Sequence, residues 1–430
     1  MRAESDPSLL VASRQDVELP PWRTVRQSLP HRGLPSVVQA VRQQFARADV
    51  RAAVPAGSRV AIAVGSRGVA RIDEIVREVV LSLRALGAEP FIVPAMGSHG
   101  GGTAHGQTQV LAALGISERT MGAPVRAGME TEEIGVVLDG VPVHVDRIAL
   151  MEADLVVPVA RVKPHTDFRG PLESGLHKML AIGLGKHRGA TALHSFPLDR
   201  FGELVPVVGA LVRAGVCVPF GIAVVEDGYE QPAIIEAVLD AGMPAREAEL
   251  LELAKEWLPR LPFAAADILV VQAIGKEISG AGMDPNVTGR FPINNIKPDV
   301  SVTSLVVLDL TESTHGNASG IGMADITTTR AAGKIDWTST YTNCVAAGSL
   351  NGAKLPLVAR TDREALDVAA RCAVGVRSQD LRIAWVPNTL EVAELRVSEP
   401  LWQSMQPRSG LEVLSEPEAV CFDDRGALLA

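Results

Sequence analysis

Short apolar runs alternate with amphipathic stretches through the first part of the chain. The run SRVAIAV over residues 58–64 predicts a strand, and residues 72–86 carry their apolar side chains at helical spacing. A second strand follows over residues 90–94, then a glycine-rich loop over 97–103 and a helix that ends near Leu114. This strand–helix–strand–loop–helix order predicts a parallel sheet covered by helices.

The same pattern continues to about residue 258 and then starts again. It predicts strands over 155–159 and 221–225 and helices over 204–214 and 234–258, the last one interrupted near Gly242–Pro244, with an irregular arm over residues 1–35. A hinge rich in Pro and Ala follows, and the second block predicts strands over 268–272, 305–310 and 381–386 and a helix over 362–373.

We therefore predict a two-domain α/β protein. Its N-terminal domain, over residues 1–262, is a Rossmann-like parallel sheet with helices on both faces, and it carries the site histidines and lysine. A smaller C-terminal α/β domain over 263–395 closes a cleft. The C-terminal segment 396–430 is expected to pack back on the N-terminal domain.

Composition narrows the class of partner. Hydrophobic residues make up 47% of the chain but aromatic residues only 4%, which suits aliphatic parallel strands and argues against binding of single-stranded nucleic acid. The net charge of −9, without a basic run, disfavours nucleic acid and anionic membranes and leaves room for a small anionic substrate beside local Arg and Lys. Four scattered cysteines and the lack of a signal-like or 18-residue apolar segment predict a cytoplasmic protein.

Histidines are concentrated after two of the predicted strands. His99 and His105 flank the glycine loop, and the segment 161–194 holds four more, namely His165, His177, His187 and His194. Because the carboxyl ends of parallel strands form the ligand crevice of such sheets, His99 and His165 are expected at one cleft. Two imidazoles on opposite faces of a substrate can act as base and acid in turn, as inversion of a carbon centre requires.

Glycines and lysines accompany these histidines. The sequence Gly100-Gly101-Gly102-Thr103 is compatible with a phosphate cradle or with a tight turn between strand and helix. Neither the dinucleotide-binding glycine pattern nor a P-loop occurs. Lysines in this setting, which are Lys163, Lys178 and Lys186, can act as nucleophiles or carry a covalent cofactor.

Four motifs in this order resemble the nickel-dependent lactate racemase family. They are Gly65-Ser66-Arg67, Gly97-Ser98-His99-Gly100, Lys163-Pro164-His165 with Gly170, Ser174, Gly175 and Lys178, and finally His194. The resemblance implies a nickel-pincer nucleotide, a pyridinium mononucleotide with two sulfur-containing arms that hold Ni(II), loaded with the help of cofactor-biosynthesis proteins. It also implies racemisation or epimerisation of a small 2-hydroxy acid by hydride transfer through a 2-oxo acid.

The resemblance also implies residue roles. Lys178 would carry the cofactor, with Lys186 as the competing lysine, and His194 would bind nickel. His99 and His165 would be the paired acid and base. Further expected contacts to the cofactor come from Ser66, Gly100, Gly101 and Gly175, and expected contacts to the substrate come from Arg67, Arg169, Lys276 and Trp337.

Two other functions fit the same residues. A zinc or other divalent-metal hydrolase would use His165, His177, His187 and His194 as ligands, although the usual HExxH spacing does not occur. A nucleotide- or metal-binding protein without catalysis is the other alternative. Within the racemase interpretation, the long polar stretch between His165 and Lys178 suggests a substrate other than lactate, and no oligomeric state is predicted.

Overall fold

The computed structural model describes residues 17–66, 68–138, 140–292, 296–406 and 409–429, which form two compact units. One unit spans Leu29–Leu258, and the other joins residues 17–28 to residues 259–429. The division falls next to the hinge expected from the Pro- and Ala-rich stretch. The α/β class predicted from the sequence is confirmed for both units.

The unit Leu29–Leu258 alternates strands and helices along the chain. We number elements along the whole chain, so that β1 and β9–β15 belong to the other unit. The strands of the unit Leu29–Leu258 are β2 Arg59–Val64, β3 Glu89–Pro94, β4 Thr131–Val137, β5 Val141–Asp146, β6 Leu155–Arg161, β7 Phe220–Glu226 and β8 Pro232–Leu239. Its helices are α1 Val37–Ala46, α2 Ala48–Ala52, α3 Ile72–Ala85, α4 Ala104–Ala113, α5 Glu118–Met121, α6 Arg147–Glu152, α7 Leu176–Lys178, α8 Lys186–His194, α9 Phe201–Gly215 and α10 Met243–Trp257.

A five-stranded sheet in the order β3-β2-β6-β7-β8 forms the centre of this unit. All neighbouring pairs are parallel except β7 and β8. Successive side chains along the strands point to opposite faces of the sheet, so that Ala61 belongs to one core and Ile62 to the other. Helices α9 and α10 cover the face of Ala61, and α1 and α3 cover the face of Ile62. Burial on both faces explains why the strands are continuous apolar runs.

The second unit is built on a mixed eight-stranded sheet in the order β12-β11-β10-β9-β13-β14-β1-β15. Its strands are β1 Trp22–Gln27, β9 Ala265–Ile274, β10 Ser301–Leu310, β11 Ile326–Thr328, β12 Leu357–Ala359, β13 Ile383–Val386, β14 Glu394–Ser398 and β15 Leu411–Val413. Its helices are α11 Pro285–Thr288, α12 Thr329–Gly333, α13 Trp337–Ala346, α14 Asp362–Cys372 and α15 Glu399–Ser404. In the parts of the chain that the structure describes, no helix has the length and apolar character needed to cross a membrane.

Two sequence-based expectations are corrected by the structure. Residues 232–239 form β8 instead of the first part of a long helix, because their backbone pairs with the edge of β7 and their β-branched residues favour a strand. The helix begins only at Met243. Residues 22–27 of the expected irregular arm form β1, which pairs with β14. The segment after residue 394 joins the sheet of the second unit through β14 and β15, and its predicted packing on the N-terminal domain stays a prediction.

Candidate active site

Loops that follow three neighbouring parallel strands carry the candidate residues of the first unit. Ser66 follows β2, the glycine loop with His99 follows β3, and the segment with His165 follows β6. Because β2 lies between β3 and β6 and all three are parallel, their carboxyl ends lie at the same edge of the sheet. The loops that were predicted to share a crevice therefore follow strands that are neighbours in the sheet.

His165 and Lys178 contact each other directly. Lys178 Nζ lies 2.5 Å from Nε2 of His165, while Nδ1 of the same ring accepts the backbone N–H of Asp167 at 3.0 Å. An Nδ1 that accepts a hydrogen bond carries no proton, so the proton of a neutral ring is on Nε2. Lys178 Nζ thus lies directly against the Nε2 side of the ring.

The segment that carries His165 is braced from behind by buried charge. The carboxylate of Glu173, fully buried, accepts the backbone N–H of His165 at 2.7 Å. Arg169 donates to the His165 carbonyl at 2.5 Å and lies 3.5 Å from Glu173, and Lys255 lies 3.3 Å from the other oxygen of that carboxylate. At least one nitrogen of Arg169 therefore supports the loop, and its predicted contact with substrate stays a prediction.

Two phenylalanine rings connect His165 to His194. His165 stacks on Phe168 with ring centroids 4.3 Å apart, Phe168 contacts Phe201 at 5.6 Å, and Phe201 contacts His194 at 5.1 Å. His194 is the last residue of α8, and its Nδ1 is buried without a hydrogen-bond partner among the described residues. Burial, aided by the charge of Lys178, lowers the pKa of His194 to about 4. The ring is therefore neutral at pH 7 and keeps a free lone pair for a ligand.

The glycine loop forms a tight turn beneath His99. Gly100, Gly101 and Gly102 all have left-handed backbone angles, and a Cβ on Gly100 would lie 2.6 Å from the backbone nitrogen of Gln107. The amide of Gly102 donates to the Ser98 carbonyl, so this N–H closes the turn itself. At the exposed end of the turn, His99 Nδ1 is hydrogen-bonded to Ser66 Oγ. These contacts favour the tight-turn interpretation of the glycines, whereas their predicted contact with a cofactor stays a prediction.

The loop with His99 also packs on the helical segment that carries Lys178. Lys178 is followed directly by a π-helical turn, Met179–Gly183, and the amide of Gly97 donates to the Gly183 carbonyl at 3.1 Å. A Cβ on Gly183 would meet the Ala95 carbonyl at 2.6 Å, so a larger residue does not fit there. Close backbone contact therefore ties the position of His99 to the segment from Lys178 to His194.

Lys186, the competing lysine, is sealed inside the unit. Its side chain is fully buried, and Nζ contacts the Pro94 carbonyl at 2.5 Å, Oδ2 of Asp146 at 2.8 Å and Oε1 of Gln107 at 3.1 Å. Burial lowers its pKa, and the carboxylate of Asp146 opposes that shift. Three acceptors match the three N–H donors of an ammonium, so these contacts favour Lys178 over Lys186 as the reactive lysine.

His177 belongs to the core and not to an open site. Its Nδ1 lies 2.5 Å from Oε2 of Glu247, and both side chains are almost completely buried. Gly175 leaves room for that carboxylate, since a Cβ at this position would overlap Oε1 of Glu247. Across the described ranges, no group of three or more His, Cys, Asp and Glu side chains is arranged to hold a metal ion. The four-histidine zinc site therefore finds no support, whereas a metal that takes a single protein ligand needs no such group.

Three further residues were predicted to contact substrate, namely Lys276, Trp337 and Arg67. Lys276 and Trp337 belong to the second unit, where Lys276 Nζ donates to the Gly280 carbonyl at 2.5 Å and the ring of Trp337 contacts Tyr341 at 5.3 Å. Arg67 lies outside the described residues. The predicted substrate contacts of all three stay predictions.

Sequence reasoning missed the residues that support the site. Phe168 and Phe201 lie between the two histidines, and Gln107 donates from α4 to the Gly97 and His99 carbonyls. None of the three belongs to a chemical motif. The one signal was the rarity of aromatic residues in this chain, which made the phenylalanines beside the histidine-rich segment unusual.

Comparison with known proteins identifies the fold. No family model matches the chain, and no curated protein sequence matches it. A solved structure of the lactate racemase apoprotein from Thermoanaerobacterium thermosaccharolyticum matches with a TM-score of 0.52 and 14% identity, over 88% of this chain and 99% of that one. A Thermotoga maritima protein matches with a TM-score of 0.53 and 12% identity, over 85% and 99%. The chain thus has the two-domain α/β fold that the lactate racemase apoprotein also has.

Proposed function

We propose that this protein is a racemase or epimerase of a small 2-hydroxy acid, and that it works with a nickel-pincer nucleotide attached at Lys178. The observation that carries the proposal is that Lys178, His165 and His194 are connected by direct contacts and by two phenylalanine rings. The strands that precede His165 and His99 end at the same edge of the sheet. The shared fold with the lactate racemase apoprotein supports it.

The residues present fit such a group. The buried, unpartnered Nδ1 of His194 belongs to a neutral imidazole, which is a suitable donor for Ni(II). The side-chain nitrogen of Lys178, in contact with the His165 ring, would be the nucleophile that forms the covalent link. When bound, a pyridinium conjugated to nickel would supply the electron sink that removal of a hydride from the hydroxyl-bearing carbon requires.

The chain's own residues handle protons and orientation. His165 and His99 each take the hydroxyl proton in one direction of the reaction and return it in the other. Ser66 Oγ is hydrogen-bonded to His99 Nδ1 and thereby orients the ring. Arg67 is proposed to bind the substrate carboxylate through its two-pronged guanidinium. Phe168 and Phe201 keep water away from the ring of His165.

The decisive experiment is coexpression with the enzymes that make the cofactor, followed by intact-mass analysis and peptide mapping. We expect the added mass on Lys178, and we expect the loaded protein to equilibrate the two enantiomers of at least one 2-hydroxy acid in a panel that includes dicarboxylic and sugar acids. Loaded protein that is inactive on the whole panel would contradict the proposed reaction. Added mass on a different lysine would contradict the proposed attachment.

Two variants separate the proposed roles. Lys178→Arg keeps a positive charge but cannot form the link, so the added mass should be lost. His165→Gln should keep the added mass and lower the racemisation rate by roughly 10²- to 10⁴-fold, as expected for loss of a general acid–base group. A His165→Gln protein that is loaded and fully active would remove this histidine from the mechanism.

A further inference from the structure

A buried polar chain runs from the Asp146 carboxylate to the loop that carries His99. Lys186 Nζ forms an ion pair with Oδ2 of Asp146 at 2.8 Å and donates to Oε1 of Gln107. Nε2 of Gln107 donates to the carbonyl oxygens of Gly97 at 2.9 Å and of His99 at 3.3 Å. The side chains of Asp146, Lys186 and Gln107 are all fully buried. Unmatched polar groups at such depth are costly, so each of these contacts constrains the others.

The ammonium determines which way the Gln107 amide points. A flipped amide would place its NH2 group against the Lys186 ammonium and its oxygen against two carbonyl oxygens. Only the observed orientation gives every group a partner of the opposite kind. The charge on Lys186 therefore orients the donors that hold the His99 loop.

The backbone of Lys186 supports the same interpretation. Lys186 has a φ of 53°, in the left-handed region that non-glycine residues rarely occupy. Such a conformation is strained and persists only where surrounding contacts demand it. The three contacts of Lys186 Nζ hold the residue in this conformation.

We infer that Gln107 and Lys186 are positioning residues that hold His99 in place for its role as acid and base. Gln107 acts on the backbone of the loop at Gly97 and His99, and Lys186 acts through Gln107. The inference deepens the proposed function and rests on it for the role of His99, whereas the hold on the loop can be measured without any activity.

The test is the isosteric variant Gln107→Glu in apoprotein. A carboxylate still accepts from Lys186, so the unit should remain folded, but it cannot donate to the two carbonyl groups. We expect faster hydrogen exchange at the amides of His99 and Gly102. We also expect the side-chain nitrogen NMR signals of His99 to move from one dominant tautomer toward the mixture of a free imidazole, because the contact with Ser66 loosens.

Gln27→Glu is the matched control. Gln27 is a buried glutamine of the second unit, and its Nε2 likewise donates to two backbone carbonyls, those of Arg260 and Val392. This control should leave the His99 signals unchanged even if it lowers the melting temperature. Unchanged His99 signals and exchange rates in Gln107→Glu would overturn the inference.

Activity supplies a second, separable readout. In cofactor-loaded Gln107→Glu we expect kcat to fall by about 10- to 100-fold with little change in KM, as for a misplaced catalytic group. A loosened His99 together with unchanged kcat would overturn the positioning role. If wild-type protein is loaded but inactive, the proposed function fails, and the NMR and exchange results still decide whether Gln107 holds the loop.

Discussion

The amine of Lys178 lies 2.5 Å from Nε2 of His165, whose opposite ring nitrogen accepts the backbone N–H of Asp167. The Asp167 carboxylate is 3.9 Å from that nitrogen, too far for a hydrogen bond. A backbone N–H can only donate, so Nδ1 of His165 is the acceptor in its contact with Asp167. The contact with the opposite ring nitrogen sets Lys178 apart from an exposed lysine, and we predict that it raises the reactivity of the amine.

The first prediction concerns the reactivity of Lys178 in the apoprotein. An ordinary lysine, with a pKa of about 10.4, is almost wholly protonated at pH 7 and therefore a poor nucleophile. We expect trace acetic anhydride at pH 7 to acetylate Lys178 much faster than the exposed Lys354, which serves as an internal reference measured by peptide mass spectrometry.

His165→Phe keeps an aromatic ring against Phe168 but removes the ring nitrogen that contacts Lys178, and it should abolish the preference for Lys178. Equal acetylation rates of Lys178 and Lys354 in wild-type protein would contradict the special reactivity of Lys178.

The second prediction concerns the unpartnered nitrogen of His194. Removing a buried polar atom that lacks a partner relieves an unfavourable contribution, so His194→Leu should raise the free energy of unfolding of the apoprotein by about 1 kcal/mol. The same variant should lose nickel in metal analysis of loaded protein. Stability is measured by urea unfolding.

His177→Leu is the matched control for this variant. It makes the same substitution at a histidine whose Nδ1 is bonded to Glu247, so it leaves a buried carboxylate without its partner and should destabilise by roughly 3–5 kcal/mol. Equal effects of the two substitutions would show that the unpartnered nitrogen has no energetic consequence.

The third prediction concerns the buried ion pair of Lys186 and Asp146. Lys186→Met leaves the fully buried Asp146 carboxylate unpaired, and we expect a loss of roughly 3–5 kcal/mol in unfolding free energy. Adding Asp146→Asn restores neutrality while its side-chain oxygen still caps α6, so the double variant should recover most of that loss. A double variant that is no more stable than Lys186→Met would argue against the ion pair as the source.

The fourth prediction concerns the pH dependence of stability. Burial, together with the charge of Arg188, lowers the pKa of His144 below 6.5, and Glu133 opposes this shift. Between the lowered pKa and 6.5 the unfolded chain binds a proton that the folded chain does not, so stability is fully present above pH 6.5 and declines as the pH falls below it.

Urea unfolding of wild-type protein and of His144→Gln at pH 7.5 and pH 5 measures this contribution. The variant should lose less stability over that interval, because glutamine does not titrate, while contributions from the other histidines are common to both proteins. An equal loss in the two proteins would remove His144 as a source of the pH dependence.

The hydrophobic pattern was sufficient to predict most of the secondary structure. The apolar runs predicted β2, β3, β6, β7 and β9, and the helical spacing predicted α3 almost to the residue. These elements are determined locally, because strands buried on both faces must be continuously apolar and a helix between two cores must be amphipathic. The pattern also placed the histidines after strands, and parallel order then put His99 and His165 at one edge of the sheet.

Tertiary pairing decided what the local pattern left ambiguous. Residues 232–239 and 22–27 are strands because a sheet edge offers them hydrogen bonds, and no local signal states that such an edge exists. The different surroundings of Lys178 and Lys186 also come from tertiary contacts. The two lysines are eight positions apart in one glycine-rich segment, but one is enclosed by three acceptors from distant parts of the chain and the other lies against an imidazole. Protonation and reactivity depend on those neighbours, which only the folded chain brings together.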